Sequence, residues 1–159
     1  MDTNKKRFLK NICKYCVSNY MVSNSSPIMS SLIYHICKFL DMDSMAVQGI
    51  VTLHINEFSS KSFAHCFNVC DGIIIDASIY EYALINRRIS HIIPMYIVDS
   101  IPYNISYTVQ NEIPVDYRFK FSNKFVNNII NEIKFVDDIY LGKFNLIDDA
   151  KKKNLFYCR

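Results

Sequence analysis

The sequence has no tryptophan, only three glycines and only four prolines among its 159 residues. Collagen-like chains and low-complexity linkers need glycine or proline in quantity, so both classes are excluded. Lys and Arg number 18 against 15 Asp and Glu, and the net charge of +3 is too small to predict a nucleic-acid-binding surface. No apolar run approaches the roughly 18 residues that span a bilayer. We therefore expect no membrane-spanning protein, and the net charge by itself does not indicate nucleic-acid binding.

What the chain does have is enough apolar surface to fold. Half of its residues are hydrophobic and 21% are charged, which is typical of a globular protein rather than a disordered one. At about 150 residues per domain, the length predicts a single domain over residues 1–159. Within it we expect a core scaffold over about 24–110 and a helical C-terminal part over about 120–157.

The six cysteines are neither dense enough for a disulfide framework nor spaced as a four-ligand metal site. Cys13 and Cys16 form one Cys-x-x-Cys pair, but Cys66 and Cys70 match a second zinc-binding pair poorly. We therefore predict no metal and no cofactor. The N-terminal stretch is amphipathic instead of continuously apolar, so a secretory signal is not expected. We therefore expect a cytoplasmic protein. Abundant Ile, Asn, Lys and Tyr suggest AT-rich codon usage and a viral or host-associated source, and the location would then be the cytoplasm of a host cell.

Apolar residues at helical and at alternating spacing divide the chain into helices and strands. Helices are predicted over Thr3 to about Tyr20, Pro27 to about Leu40, Ile79 to Asn86 and Asn123 to Val136, with a short terminal helix from Asp148. Strands are predicted over Met45 to Ile55, Phe63 to Cys70, Ile73 to Ser78, Ile89 to Val98 and Ile105 to Val109, with a loop over Glu57 to Ser62. This order indicates an α+β fold in which N-terminal helices pack on an antiparallel sheet.

Asp71-Gly72 between two strands is the strongest hairpin signal in the sequence. If these two residues form the turn, Phe67 pairs with Asp76, and His65 projects from the same face of the hairpin as Asp76. Diagonal neighbours on such a face lie roughly 7 to 8 Å apart at Cβ, within reach of a hydrogen bond between imidazole and carboxylate. A carboxylate in that position orients a histidine that acts as a general base.

This hairpin, with a His and an aromatic on one strand, an Asp-Gly turn and a strand ending in Asp, resembles the transglutaminase-like branch of the papain-like thiol enzymes. The resemblance covers about residues 24–80. It implies a papain-like α+β core in which a helix with a nucleophilic cysteine at its N-terminus precedes the sheet that supplies His and Asp. Carried to this chain, it implies that His65 is the general base and that Asp76 orients it.

Ser25 and Ser26 stand where the family has its cysteine. Ser26, directly before Pro27, is a good helix N-cap without any catalytic role. Either serine could alternatively act as a nucleophile through His65, although a hydroxyl gains less than a thiol from a helix N-terminus. The catalytic candidates are therefore His65, Asp76, Ser26 and Ser25.

Two functions of different classes follow from these residues. One is a hydrolase or acyltransferase with an incomplete Cys-His-Asp triad, acting on an amide or ester of a protein or peptide substrate. The other is a catalytically inactive papain-like scaffold, a viral or host-associated factor that binds a protein partner. A weaker third is a nucleic-acid-associated protein that uses the run Lys151-Lys152-Lys153. The oligomeric state is not predicted by the sequence.

Overall fold

The computed structural model describes residues 3–134. Its helices are α1 (Thr3–Tyr20), α2 (Ser26–Phe39), α3 (Glu81–Ile85) and α4, which is helical from 123 to 134, the last residue described. Its strands are β1 (Ser44–Asn56), β2 (Ser59–Cys70), β3 (Ile73–Asp76), β4 (Ile97–Val98) and β5 (Ile105–Glu112), with 3₁₀ turns at Arg87–Ile92 and Val115–Tyr117. The chain is therefore an α+β protein, as the sequence predicts.

The five strands form one antiparallel sheet in the order β4-β3-β2-β1-β5. The predicted turn is present between β2 and β3: Cys70 pairs with Ile73, and both turn residues have positive φ, 50° at Asp71 and 77° at Gly72. Two left-handed residues are what a tight two-residue hairpin turn requires. The register on which the candidate site depends is therefore confirmed as far as the pair Asn68 and Ile75.

Apolar side chains pack on both faces of the sheet. One cluster joins α1, α2 and α4 to strand residues that include Cys70, Ile75 and Val98. The other joins α3 and the Arg87–Ile92 turn to Val51, Leu53, Ile97 and Ile105. Adjacent Ile97 and Val98 belong to different clusters, because successive strand residues point to opposite faces.

Several element predictions differ from the structure: β5 runs to Glu112 instead of Val109, and α3 covers only Glu81–Ile85 of the predicted Ile79 to Asn86. The predicted strand over Ile89 to Val98 is wrong: its first part is the 3₁₀ turn Arg87–Ile92, and only Ile97 and Val98 pair in the sheet. Pro94 separates the two parts, and proline cannot donate to a strand ladder. The predicted loop over Glu57 to Ser62 is also too long, since β2 begins at Ser59, and β3 ends two residues before Ser78.

No helix in the described part of the chain combines the length and apolar character needed to cross a membrane. The predicted helix from Asp148, the lysine run at Lys151 to Lys153 and Cys158 lie outside the described residues.

Candidate functional site

The β2-β3 hairpin brings His65 and Asp76 into direct contact. Nε2 of His65 lies 2.8 Å from Oδ2 of Asp76, and each residue is 1% exposed. The contact arises because the tight turn fixes the register of β2 against β3. Asp76 is the last residue of the four-residue strand β3, and it lies on the face from which His65 projects. The two residues that the sequence places on one face therefore form a buried hydrogen-bonded pair.

Both oxygens of the Asp76 carboxylate are fully used. Oδ2 also accepts a hydrogen bond of 2.8 Å from the hydroxyl of Tyr107 on β5. Oδ1 accepts from the backbone N–H of Ser78 at 2.8 Å and from its hydroxyl at 2.9 Å. Asp76 thus orients His65 and also fixes the chain where it leaves β3. Four donors suit a carboxylate that stays ionised inside the protein.

Both nitrogens of the His65 ring face acceptors. Nδ1 lies 2.9 Å from the hydroxyl of Tyr82, which donates its own proton to the backbone oxygen of Ala64 at 3.2 Å. Nδ1 also lies 3.4 Å from Oε1 of Glu81. With its proton on the Ala64 oxygen, the Tyr82 hydroxyl accepts from Nδ1 while Nε2 donates to Asp76. The doubly protonated, positively charged imidazolium fits these contacts, whereas a neutral ring with its proton on Nε2 would accept the Tyr82 proton at Nδ1 instead.

The electrostatics of the pair agree with that protonation state. Burial alone would lower the pKa of His65, but the carboxylates of Asp76 and Glu81 outweigh it and raise the pKa to about 9. Burial would likewise raise the pKa of Asp76, yet the charge and hydrogen bond of His65 hold it below its ordinary value. At neutral pH the imidazolium has no free lone pair, and a general base needs one.

The N-terminus of α2, where the resemblance places a nucleophile, is bound to Glu81. Oε2 of Glu81 accepts the backbone N–H of Ser25 at 2.8 Å and that of Ser26 at 3.2 Å, and the Ser25 hydroxyl at 3.3 Å. A carboxylate is stabilised there by the unpaired N–H groups and the helix dipole. An acyl-transfer enzyme would need these N–H groups free to bind an oxyanion, whereas here they are already hydrogen-bonded to a side chain of the protein.

The expected side-chain N-cap at Ser26 is wrong. Ser26 is the first residue of α2, Ser25 occupies the N-cap position, and the side chain of Ser25 makes no capping hydrogen bond. Glu81 supplies the cap from another part of the chain, because a charged acceptor binds N–H groups more strongly than a hydroxyl.

Ser26 and His65 line the same cavity, of about 600 Å³, at the N-terminus of α2. Ser26 is 6% exposed. Among the described residues, its hydroxyl has no hydrogen bond to either nitrogen of His65, and the ring instead contacts the hydroxyls of Tyr82 and Ser78. The structure thus brings His65 and Asp76 together and places Ser26 beside them without a hydrogen bond.

Cys66 also lines the cavity, but its surroundings disfavour a thiolate. Burial raises the pKa of the Cys66 thiol, and the carboxylates of Glu81 and Asp76 raise it further. A reactive cysteine needs the opposite environment. Cys13 and Cys16 are buried in the helical cluster, and within residues 3–134 no group of three or more His, Cys, Asp or Glu side chains is placed to hold a metal ion.

Comparisons with protein-family models, with curated proteins and with solved structures find no match to this chain. A functional assignment therefore depends on the geometry of the cavity and its surroundings.

Three contributors to the site are missing from the sequence prediction: Glu81, Tyr82 and Tyr107. Glu81 and Tyr82 fall in the predicted helix over Ile79 to Asn86, where an acidic residue in the first turn is an ordinary helix signal. Tyr107 lies on β5, two strands from the strand of His65. No spacing along the chain indicates these contacts, because each depends on how distant elements pack.

Proposed function

We propose that this chain is a papain-like, transglutaminase-like scaffold that does not catalyse acyl transfer and acts as a protein-interaction module. The observation that carries the proposal is the Glu81 carboxylate, which accepts both N–H groups at the start of α2. An oxyanion needs free, positively polarised donors, and a fixed carboxylate at the same place repels developing negative charge. A viral or host-associated role for the module is still a prediction from composition.

The protonation state of His65 supports the same conclusion. A serine nucleophile must pass its proton to the imidazole, and an imidazolium held between Asp76 and Glu81 cannot accept it at neutral pH. Ser26 would in addition have to replace the Tyr82 hydroxyl at Nδ1.

The second candidate function is hydrolysis or acyl transfer at an amide or ester. The observation that favours it is the 2.8 Å contact between His65 and Asp76 beside the Ser26 hydroxyl. In this case His65 would be the base, Asp76 its orienting partner and Ser26 or Ser25 the nucleophile, once Glu81 had moved away from the helix.

Activity-based labelling separates the two candidates. The protein is incubated with a fluorophosphonate probe and with acyl and thiol-directed probes, and labelled peptides are located by mass spectrometry. We expect no modification of Ser25 or Ser26. Labelling of either serine that disappears in His65→Ala would overturn the proposal and establish the enzyme.

A gain-of-function variant tests whether Glu81 is the feature that keeps the site silent. Ser26→Cys places a thiol at the start of α2 and should react slowly, whereas Ser26→Cys with Glu81→Gln should react faster because the neighbouring negative charge is gone. Ser23→Cys, at an exposed position outside the helix, is the matched control and should not respond to Glu81→Gln. Equal reactivity of the thiol introduced by Ser26→Cys, with and without the Glu81→Gln change, would show that the carboxylate does not suppress the site.

A further inference from the structure

The cavity at the N-terminus of α2 lies next to more carboxylates than cationic side chains. Two buried carboxylates, Asp76 and Glu81, surround a single imidazolium, His65. None of the described residues that line the cavity is a lysine or an arginine. The N-terminus of α2 offsets only about half an elementary charge of the Glu81 carboxylate, so the site still attracts a cation.

The same cavity has an unused hydrogen-bonding group. Ser26 is 6% exposed, and its hydroxyl has no partner among residues 3–134 although it opens into the cavity. Its oxygen can accept a hydrogen bond from a ligand that enters. The Ser26 hydroxyl oxygen is accessible rather than sealed in the interior, so it can bond a ligand that enters the cavity.

One wall of the cavity is aromatic. The rings of Phe63 and Tyr82 stack with centroids 4.1 Å apart and planes inclined by 23°, and both residues line the cavity. Phe63 is only partly buried. Ile85 at the rim is 63% exposed and supplies apolar surface next to these rings. The partly buried Phe63 leaves aromatic surface at the cavity, on which a planar cation can stack.

We propose that this cavity, called here the Glu81 cavity, receives an arginine side chain of a partner protein. The guanidinium is planar and always charged, and its five donors suit a carboxylate and a hydroxyl, the groups that Glu81 and Ser26 contribute to the lining of the cavity. The volume of about 600 Å³ lies within the usual range for a ligand site. This inference rests on the proposed interaction function, because it names the chemistry of the partner at that same site.

Small probes test the proposal without a known partner. N-acetyl-arginine amide is titrated into the isotopically labelled full chain, and shifts of the Ser26, Phe63 and Tyr82 signals are followed by NMR. N-acetyl-citrulline amide keeps the shape without the charge, and N-acetyl-lysine amide keeps the charge without the plane. We expect shifts at all three residues with the arginine probe and at least about tenfold weaker binding of the other two.

Variants assign the contacts. Glu81→Gln and Phe63→Leu should each weaken binding of the arginine probe about tenfold, and Ser26→Ala should weaken it less. Glu57→Gln, which removes an exposed carboxylate that does not line the cavity, is the matched control and should bind as the unmodified chain does. Because Glu81 also caps α2, Phe63→Leu and Ser26→Ala keep the test valid if Glu81→Gln fails to fold.

Equal binding of the lysine or citrulline probe, or no binding of the arginine probe, would overturn this inference. Neither result bears on the labelling of Ser25 and Ser26. If neither serine is labelled and the arginine probe does not bind, only the arginine assignment is rejected. Labelling of Ser25 or Ser26 rejects the proposed function itself.

Discussion

Oε2 of Glu81 lies 2.8 Å from the backbone nitrogen of Ser25. A carboxylate from α3 therefore caps the N-terminus of α2, which begins more than 50 residues earlier in the chain. Oε1 of the same carboxylate lies 3.4 Å from the His65 ring. Glu81 therefore links the His65-Asp76 pair to the helix that would have to carry a nucleophile. The Glu81 side chain occupies the N–H groups that a substrate would need, and its negative charge contributes both to the pKa of His65 and to the stability of α2.

Replacing Glu81 should separate its charge from its hydrogen bonds. Glu81→Gln keeps an acceptor at the α2 N-terminus and should lower the free energy of unfolding by about 1 kcal/mol through the lost charge. Glu81→Ala leaves the N–H groups of Ser25 and Ser26 unpaired and should cost about 1–3 kcal/mol. Urea unfolding measures both, and an equal loss in the two variants would contradict the capping role.

The same Glu81→Gln substitution should lower the pKa of His65 below about 9, because Glu81 is one of the carboxylates that raise it. An NMR titration of the His65 ring protons measures this change. Glu57→Gln, which removes an exposed carboxylate outside the cavity, is the matched control and should leave the His65 titration unchanged. A His65 titration that does not move would show that Asp76 alone sets its protonation.

Stability should depend on pH in a way that follows from the two groups of the pair. The pKa of His65 is raised to about 9, so its contribution is complete below about pH 6.5 and is lost as pH rises towards 9. The pKa of Asp76 is lowered, so its contribution is present above about pH 4 and is lost at lower pH. Urea unfolding across this range should give a maximum at mildly acidic pH.

His65→Gln provides the comparison for that curve. The difference in unfolding free energy between the unmodified chain and His65→Gln should shrink as pH rises from about 6.5 to about 9. A difference that stays constant over this range would contradict a charged His65.

Removing one partner of the buried pair should strongly destabilise the protein. His65→Gln leaves the Asp76 carboxylate without its positive neighbour, and breaking a buried ion pair in this way costs about 3–5 kcal/mol. His91→Gln removes an exposed histidine and should change stability by less than about 0.5 kcal/mol. Thermal and urea unfolding at pH 6 measure both, and similar losses in the two variants would show that the pair contributes little.

Gly49 should tolerate no side chain. A Cβ built there would lie 2.1 Å from the backbone oxygen of Thr108 on β5 and 3.0 Å from the Phe67 ring. Gly49→Ala must therefore displace β5 or the ring beside His65, at a cost at or above the upper end of the about 1–3 kcal/mol range for overpacking. Hydrogen exchange should show lost protection along β5.

Gly72 is the matched control for Gly49. It lies in the hairpin turn at φ 77° with open space around its Cα, so only backbone strain opposes a substitution. Gly72→Asn should cost about 1 kcal/mol or less, since Asn tolerates the left-handed region. Comparable losses for Gly49→Ala and Gly72→Asn would contradict the close approach of β5.

The part of the site that local sequence spacing controls is also the part predicted correctly. A two-residue turn fixes the register of the strands that flank it, and register decides which side chains share a face. The turn at Asp71 and Gly72 places His65 and Asp76 on one face of the hairpin, where the structure shows them in contact. The boundaries of α1 and β1 are likewise set by the local period of apolar residues, and they agree with the prediction to within a residue.

The contacts that control the reactivity of the His65-Asp76 pair depend on tertiary packing. Glu81 reaches the N-terminus of α2, Tyr82 covers Nδ1 of His65, and Tyr107 reaches Asp76 across two strands. These partners come from elements whose positions depend on burying apolar surface over the whole sheet, which no local pattern encodes. The sequence alone thus determined that an imidazole and a carboxylate share a face, whereas the packed fold determined that a second carboxylate faces the imidazole and that the helix beside it is already capped.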